Sequence, residues 1–183
     1  MTPPDVLVTG ACGHLGYALM LSLPSYGYSP VGIDLLASSE NNGHQVHVGS
    51  ISDPEFCASI FRQYPTLRYV LHTATLHKPH VGSHSKSEFI DTNIHGTLNL
   101  LEAATRQQNP IEGFIFTSTT STFGKALAPS LGQPAVWIDE QVVPVPKNIY
   151  GTTKVAAEDL CQLVQSETGM PTLVLRTSRF FPE

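Results

Sequence analysis

Tyr150 and Lys154 stand four residues apart in the stretch Tyr150-Gly151-Thr152-Thr153-Lys154. On a helix that spacing puts both side chains on one face, one turn apart. An ammonium beside a phenol favours the phenolate and lowers a pKa that is ordinarily ~10. Tyr150 would then exchange a proton near neutral pH. Such a phenol works best with a hydroxyl partner on the reacting oxygen, and Ser118, Thr119 and Ser121 in the run Ser118-Thr119-Thr120-Ser121-Thr122 are candidates. The chemistry common to these groups is proton transfer at a carbon that bears oxygen.

A second group lies near the start of the chain. Thr9-Gly10-Ala11-Cys12-Gly13-His14-Leu15-Gly16 follows the apolar run Val6-Leu7-Val8 and precedes Tyr17-Ala18-Leu19-Met20-Leu21. Strand, glycine turn and helix in that order let a helix N-terminus receive a pyrophosphate. Gly10 would permit the tight turn, Gly13 the close approach of backbone to phosphate, and Gly16 close packing of helix on sheet. Asp34 lies 24 residues past Gly10, near the spacing at which an acid accepts hydrogen bonds from an adenosine ribose. No Lys or Arg precedes Arg62, so an anion held by the first third of the chain meets only backbone N–H groups and a helix dipole. A 2′-phosphate would confront Asp34 unneutralised, which favours NAD over NADP.

The elements needed to position these residues can be read from periodicity and turn signals. Strands are expected at 5–9, 30–34, 45–48, 68–72, 111–117 and 172–176, and helices at 14–23, 54–64, 88–108 and 148–168. Asp53 would cap the second helix with Pro54 at its first position. Six strands alternating with helices make a doubly wound parallel α/β sheet, a Rossmann fold, with helices on both faces and right-handed crossovers. Residues 1–183 then form one dinucleotide-binding domain. Ligands of such sheets bind outside the carboxyl ends of the strands. The glycine turn, Asp34, His72 and Ser118–Thr122 all fall at such ends and should face one crevice. Residues 38–44 read as a polar loop. Residues 125–147, with several prolines and the only tryptophan, Trp137, read as a long irregular functional loop.

Composition narrows the partners. A net charge of −5 argues against nucleic acid and anionic membrane surfaces. No apolar run approaches the roughly 18 residues of a spanning helix, and the N-terminus lacks the basic segment of a signal peptide. Cys12, Cys57 and Cys161 are odd in number and widely spaced, without CxxC or disulfide spacing, as in a reducing, cytoplasmic compartment. His72, His77, His80 and His84 form a histidine-rich stretch beside the crevice. It lies on a loop with no carboxylate or thiol before Glu88, so no metal is expected. His77 and Lys78 are instead candidates to face a substrate, with Ser118 and Ser121.

With these residues in view the chain resembles the extended short-chain dehydrogenase/reductase family, in its NAD-dependent epimerase/dehydratase branch, over essentially all 183 residues. The glycine pattern from Thr9 to Gly16, with Cys12, His14 and Leu15 inside it, matches the family's fingerprint, and Asp34 its ribose-binding acid. His72-Thr73-Ala74 resembles the segment that passes beneath the cofactor. Asn93-Ile94-His95-Gly96-Thr97 resembles the helix motif whose Asn supports the active site. Phe116 to Gly124, including Thr117, resembles the hydroxyl-rich strand end, and counting back from Gly124 puts the catalytic hydroxyl at Thr119. Tyr150 and Lys154 match the catalytic pair, and Glu158 a recurrent acid on that helix. The resemblance implies a bound nicotinamide cofactor, Tyr150 moving a proton while hydride moves to or from the ring, and Lys154 holding the nicotinamide ribose.

Three departures accompany it. Ser50, beside Ile51, stands where the family usually has an Asp on the adenine, which weakens that contact. Thr119 replaces the commoner Ser. Residues 176–183 look like the beginning of the family's C-terminal substrate domain, so most of that domain is expected to be absent. Thr120-Ser121 occupies the place where the family's dehydratases carry an acidic pair, which leans against dehydration. The function implied is NAD-dependent epimerisation or oxidoreduction at a hydroxyl-bearing carbon, with a nucleotide sugar as the family's commonest substrate. The alternative is a non-catalytic or truncated NAD-binding module. Helices 88–108 and 148–168 resemble the pair through which the family forms homodimers, although their apolar stripes would bury against the sheet in any case.

Overall fold

A computed structural model describes residues 2–37 and 45–178. Six strands, β1 Val6–Thr9, β2 Pro30–Asp34, β3 Val46–Val48, β4 Tyr69–His72, β5 Gly113–Thr119 and β6 Thr172–Thr177, form one sheet in the order β3-β2-β1-β4-β5-β6. All neighbours are parallel. The strand order reverses between β1 and β4, so the connections leaving these two strands diverge and open a crevice at their carboxyl ends.

Among the described residues five α-helices connect the strands: α1 His14–Ser22, α2 Pro54–Gln63, α3 Lys86–Ile90, α4 Gly96–Thr105 and α5 Ile149–Thr168. Local chemistry sets their ends. The Asp53 carboxylate accepts the N–H groups of Glu55 at 2.9 Å and Phe56 at 3.2 Å, and Pro54 takes the first helical position. The Asn148 side chain accepts the N–H of Gly151 at 3.0 Å, and α5 stops at a left-handed Gly169.

One face of the sheet carries the main core. Leu7, Ile33, Val70, Phe114 and Phe116 pack there against Ile60 and Phe61 of α2, Leu100 and Leu101 of α4, and Ala157, Cys161 and Val164 of α5. The apolar stripes of the last two helices are therefore spent on the sheet, and give no separate argument for a dimer. On the other face α1 packs with Met20 against Val6 and Val8. Helices thus lie on both faces, as expected, though unevenly. Among the described residues no helix covers the β5–β6 half of that face. Leu173 and Leu175, in register with Ile115 and Thr117, remain 55% and 43% exposed.

Two elements differ in substance from the expected ones. The fifth strand starts and ends two residues later than expected. Just before it the Glu112 N–H bonds to the Arg68 carbonyl at 2.7 Å, while its carboxylate accepts from the Arg68 side chain, at 2.7 and 2.8 Å, and from the Tyr69 hydroxyl at 2.8 Å. At the far end Ser118 and Thr119 pair with Arg176 and Thr177, extending both strands. The helix expected over 88–108 begins at Lys86, because Ser85 and Glu88 form a reciprocal capping box. A π-helical turn over Asp91–His95 interrupts it before α4, which ends at Thr105, short of Gln108. Other boundaries agree within one residue. The loop expected at 38–44 and the stretch 179–183 lie outside the described residues. In 125–147 only a short 3₁₀ turn, Lys125–Leu127, and a bridge from Gly124 to Val145 are regular.

Candidate active site

A cavity of about 1530 Å³ opens at the carboxyl ends of the strands. Its wall includes Gly10, Cys12, Gly13, His14, Leu15, Gly16, Asp34, Ser50, Ile51, Thr73, Ala74, His77, Lys78, Thr117, Ser118, Thr119, Ser121 and Tyr150. Most of the expected site residues thus meet on one surface. His72, Asn93 and Lys154 do not reach it, and no residue of 125–147 lines it.

The glycine turn forms one end. Gly10 has φ +68°, and a Cβ there would lie 2.9 Å from the Ala74 backbone. A side chain at Gly16 would lie 2.0 Å from the Gly10 carbonyl oxygen. Gly16 is therefore small for the sake of the turn it folds back upon, rather than for packing on the sheet. The first turn of α1 has no acidic residue and no side-chain cap, so its N–H groups and positive dipole end remain for an anion. Asp34 sits beside it. One of its carboxylate oxygens accepts the Cys12 N–H at 2.9 Å and the other the Leu36 N–H at 3.0 Å. The Cys12 amide thus serves the acid, while the carboxylate keeps lone pairs for a diol.

His72 lies behind the wall, 1% exposed. Its partners fix its tautomer. The Thr9 hydroxyl accepts the N–H groups of Thr73 and Ala74, both at 3.1 Å, and so donates to His72 Nδ1 at 2.7 Å. The Thr97 hydroxyl donates to the Asn93 carbonyl at 2.7 Å and accepts from His72 Nε2 at 3.0 Å. Burial, with the charge of Lys154 adding to it, pushes the imidazole pKa down to about 3. His72 is a neutral brace between β1, β4 and α4, and its contribution to the cavity is to seat Thr73 and Ala74 through Thr9. This corrects its placement as a cofactor contact.

Asn93, in the π turn, is likewise a brace. Its Oδ1 accepts the Leu76 N–H at 2.8 Å, and its Nδ2 donates to the Leu76 carbonyl at 2.9 Å and the Thr153 hydroxyl at 3.0 Å. Thr153 passes the chain on to the Tyr150 carbonyl at 3.0 Å. One amide thereby ties the cavity-lining segment after β4 to the turn of α5 that carries Tyr150. A π turn at such a point is a frequent accompaniment of functional sites.

At the opposite end of the cavity from the glycine turn stand Thr119 and Tyr150. Strand alternation separates Ser118 from Thr119. Ser118 points to the helix side and donates its hydroxyl to Glu158, which Arg176 also holds at 2.7 Å. Ser118 thus lines the cavity with its hydroxyl already committed to Glu158. Thr119 Oγ accepts the Ser121 N–H at 3.1 Å, leaving its proton to donate. The Tyr150 phenol is 8% exposed. Burial raises its pKa, and the hydrogen bond with Thr119 pulls it partly back.

The expected effect of Lys154 on that phenol is absent. Its Nζ lies 4.0 Å from the centroid of the Phe116 ring, on the core side of the sheet. Burial lowers its pKa to about 7, against the opposing pull of Glu158 and Cys161. Spacing along the helix does place Tyr150 and Lys154 on one face, but that face descends into the core between them. The same burial keeps Lys154 from the cavity wall, where the ribose-holding role would place it.

At the rim His77 and His80 pack edge to face at 4.4 Å, and His80 and His84 at 5.0 Å. His80 Nδ1 accepts the His77 N–H at 3.0 Å. Of these, His77, Lys78 and His80 line the cavity. Residues that spacing does not single out complete the site: Thr75 and Leu76 on the wall, Thr9, Thr97 and Thr153 as hydroxyl relays, and Arg176 behind Ser118. The signal available for Arg176 is its place opposite Ser118 in adjoining strands.

Residues 6–182 match the family model described as the NAD dependent epimerase/dehydratase family. Among curated proteins the chain is 32% identical over 183 residues to a UDP-glucose 4-epimerase of Rhizobium leguminosarum bv. trifolii, covering 96% of this chain and 52% of that one. It is 30% identical to the UDP-glucose 4-epimerase of Rhizobium meliloti (strain 1021), covering 94% and 50%. The chain thus spans about half the length of the curated relatives it matches. A solved UDP-glucose 4-epimerase of Thermus thermophilus in complex with NAD superposes with a TM-score of 0.81 at 27% identity, over 94% of this chain and 54% of that one. The UDP-glucose 4-epimerase of Thermotoga maritima with UDP-glucose gives 0.81 at 28%, with the same coverage.

Proposed function

The chain belongs to the NAD-dependent epimerase/dehydratase family, and on that premise we propose that it binds NAD in the cavity described above and carries the proton-transfer half of an epimerase or dehydrogenase. The observation that supports this reading is the pairing of two ends in one cavity. The uncapped α1 terminus and Asp34 occupy one, and Thr119 and Tyr150 the other. The fit to a dinucleotide rests on residues of this chain. The amides of the α1 first turn would take the pyrophosphate, Asp34 the adenosine ribose, and Thr73 and Ala74 would lie along the nucleotide. When bound, the nicotinamide supplies a hydride acceptor and donor.

The remaining chemistry is the protein's. Tyr150 gives its proton to the substrate oxygen as that carbon is reduced, and the phenolate so formed takes a proton back from the hydroxyl on oxidation. Thr119 donates to the same oxygen and fixes its distance from the phenol. Burial keeps Tyr150 protonated until a substrate arrives, so in the ligand-free state it stands as an acid. The relatives named above are UDP-sugar enzymes, and a nucleotide sugar is the substrate class we propose, with His77 and Lys78 on the rim meeting its anionic part. The hydroxyls of Thr120 and Ser121, in place of acids, favour epimerisation over dehydration.

The test is thermal unfolding of the 183-residue chain with NAD, with NADP and with neither. A ligand that binds only the folded state adds roughly 2.7 kcal/mol at a hundred times its dissociation constant. Selective stabilisation by NAD is the expected result. A cooperative transition that neither dinucleotide moves would overturn the cofactor reading and leave a non-catalytic module.

A further inference from the structure

A single hydrogen-bond chain runs from the glycine-turn end of the cavity to the Tyr150 end, with His72 at its centre. Ala74 abuts the glycine turn, its backbone 2.9 Å from where a Gly10 Cβ would lie. The N–H groups of Thr73 and Ala74 both donate to the Thr9 hydroxyl at 3.1 Å, and the Thr73 hydroxyl donates to the Thr9 carbonyl at 2.6 Å. Thr9 donates to His72 Nδ1 at 2.7 Å, and His72 Nε2 donates to the Thr97 hydroxyl at 3.0 Å. Thr97 donates to the Asn93 carbonyl at 2.7 Å, inside the π turn. The Asn93 amide then donates to Thr153 on α5 at 3.0 Å, and Thr153 to the Tyr150 carbonyl at 3.0 Å. Thr9, His72, Asn93, Thr97 and Thr153 are each at most 2% exposed.

One tautomer alone satisfies every member. With its proton on Nδ1, His72 would leave the Thr9 hydroxyl accepting three N–H groups with nothing to donate to. The one Thr97 proton would then have to serve both Nε2 and the Asn93 carbonyl. A break at either ring nitrogen strands a buried polar group, which is costly. Phe114 and Phe116 pack on the imidazole, with centroids 5.9 and 5.4 Å away. The ends of the chain differ from its middle: Thr73, Ala74 and Tyr150 line the cavity, whereas His72 and Thr97 do not.

We propose that His72 is a positioning residue for the reaction: bonded at both ring nitrogens, it ties the Thr73–Ala74 floor of the cavity to Asn93 and thereby to the turn of α5 that carries Tyr150. Fixing that floor fixes the first turn of α5 with it. The inference rests on the reading of the cavity as a dinucleotide site.

The experiment is amide hydrogen exchange, followed by NMR, with ADP as the probe. ADP carries the adenosine and pyrophosphate but has no nicotinamide to meet Tyr150. Thr97→Val keeps the shape of the side chain and breaks the chain between His72 and Asn93. The readout is the amides of Gly151 and Thr152, which bond to Asn148 at the start of α5. In the wild type, saturating ADP should slow their exchange by about tenfold. In Thr97→Val, ADP should still bind and leave them exchanging as in the free protein. A merely structural role would lower the unfolding temperature of the variant and leave the effect of ADP as large as in the wild type. That result, or no slowing in a wild type that binds ADP, would overturn the proposal and leave the cofactor reading standing. Absence of binding by both ADP and NAD would overturn the two together. If Thr97→Val does not fold, the ¹⁵N shifts of the wild-type imidazole decide: a proton on Nε2 is expected, and one on Nδ1 would overturn the proposal.

Discussion

The Asp34 carboxylate accepts the Cys12 amide at 2.9 Å, so the acid at the end of β2 is also a structural part of the glycine turn. Asp34→Ala should therefore do two things. It should weaken NAD at least tenfold and narrow the preference over NADP, measured by calorimetric titration. It should also destabilise the free protein by about 1–2 kcal/mol, because a turn amide loses its charged acceptor. A wild-type preference for NADP would show that the charge argument for NAD is wrong.

Tyr150→Phe removes the proton-transferring hydroxyl and leaves the buried ring in place. Turnover on any substrate the protein accepts should fall by roughly 10² or more, the lower range for general acid–base catalysis. NAD affinity should change little. Undiminished turnover would remove Tyr150 from the mechanism.

Lys154 is carried in the fold at a cost. Its pKa of about 7 lies below the 10.5 of a free lysine. The unfolded chain therefore holds the proton more tightly, and stability rises as pH climbs from 7 towards 10.5. Lys154→Met should flatten that rise and stabilise the protein at pH 7, on the order of 2–4 kcal/mol, while impairing function. Denaturant unfolding at pH 7 and 9 of both proteins checks it; parallel curves would contradict the assigned burial.

His72 behaves with the same sign in another window. Its folded pKa of about 3 lies below the free value of 6.5. The stability linked to its neutral form is complete above pH 6.5 and is lost as pH falls towards 3. His72→Asn should be less stable at pH 7, yet lose less on going to pH 4, by a few kcal/mol at most. An unchanged difference between the two pH values would mean that His72 is not held neutral.

Gly16→Ala introduces a Cβ 2.0 Å from the Gly10 carbonyl oxygen, against backbone that cannot yield without moving the turn. Destabilisation above ~3 kcal/mol is expected, with loss of dinucleotide binding. Retention of both, seen by calorimetry and NAD titration, would show that the turn has another stable form.

The parts of the site legible in the sequence are those encoded by short-range spacing. The glycine turn, Asp34 at the end of β2, Asp53 as a cap and the α5 position of Tyr150 each follow from neighbours within one element or one crossover. Direction is harder to read. Ser118 and Thr119 are adjacent hydroxyls, and only the parity of Phe114 and Phe116 tells which one faces the core. Lys154 shares a helix face with Tyr150, but whether an ammonium there meets the phenol or an aromatic ring depends on β5, which is distant in sequence. The bracing of His72 by Thr9 and Thr97 spans 63 and 25 residues and leaves no local pattern.

The amide of Asn93 gives the site a common point of reference. The segment after β4 and the first turn of α5 come from distant parts of the chain, yet both are located from one side chain. Errors in their placement are therefore shared instead of accumulating. A drift of the helix bearing Asn93 carries wall and phenol together and leaves the gap between them unaltered. The dimension held constant is the width of the site, and widening it requires breaking a hydrogen bond to Asn93, not merely flexing the scaffold.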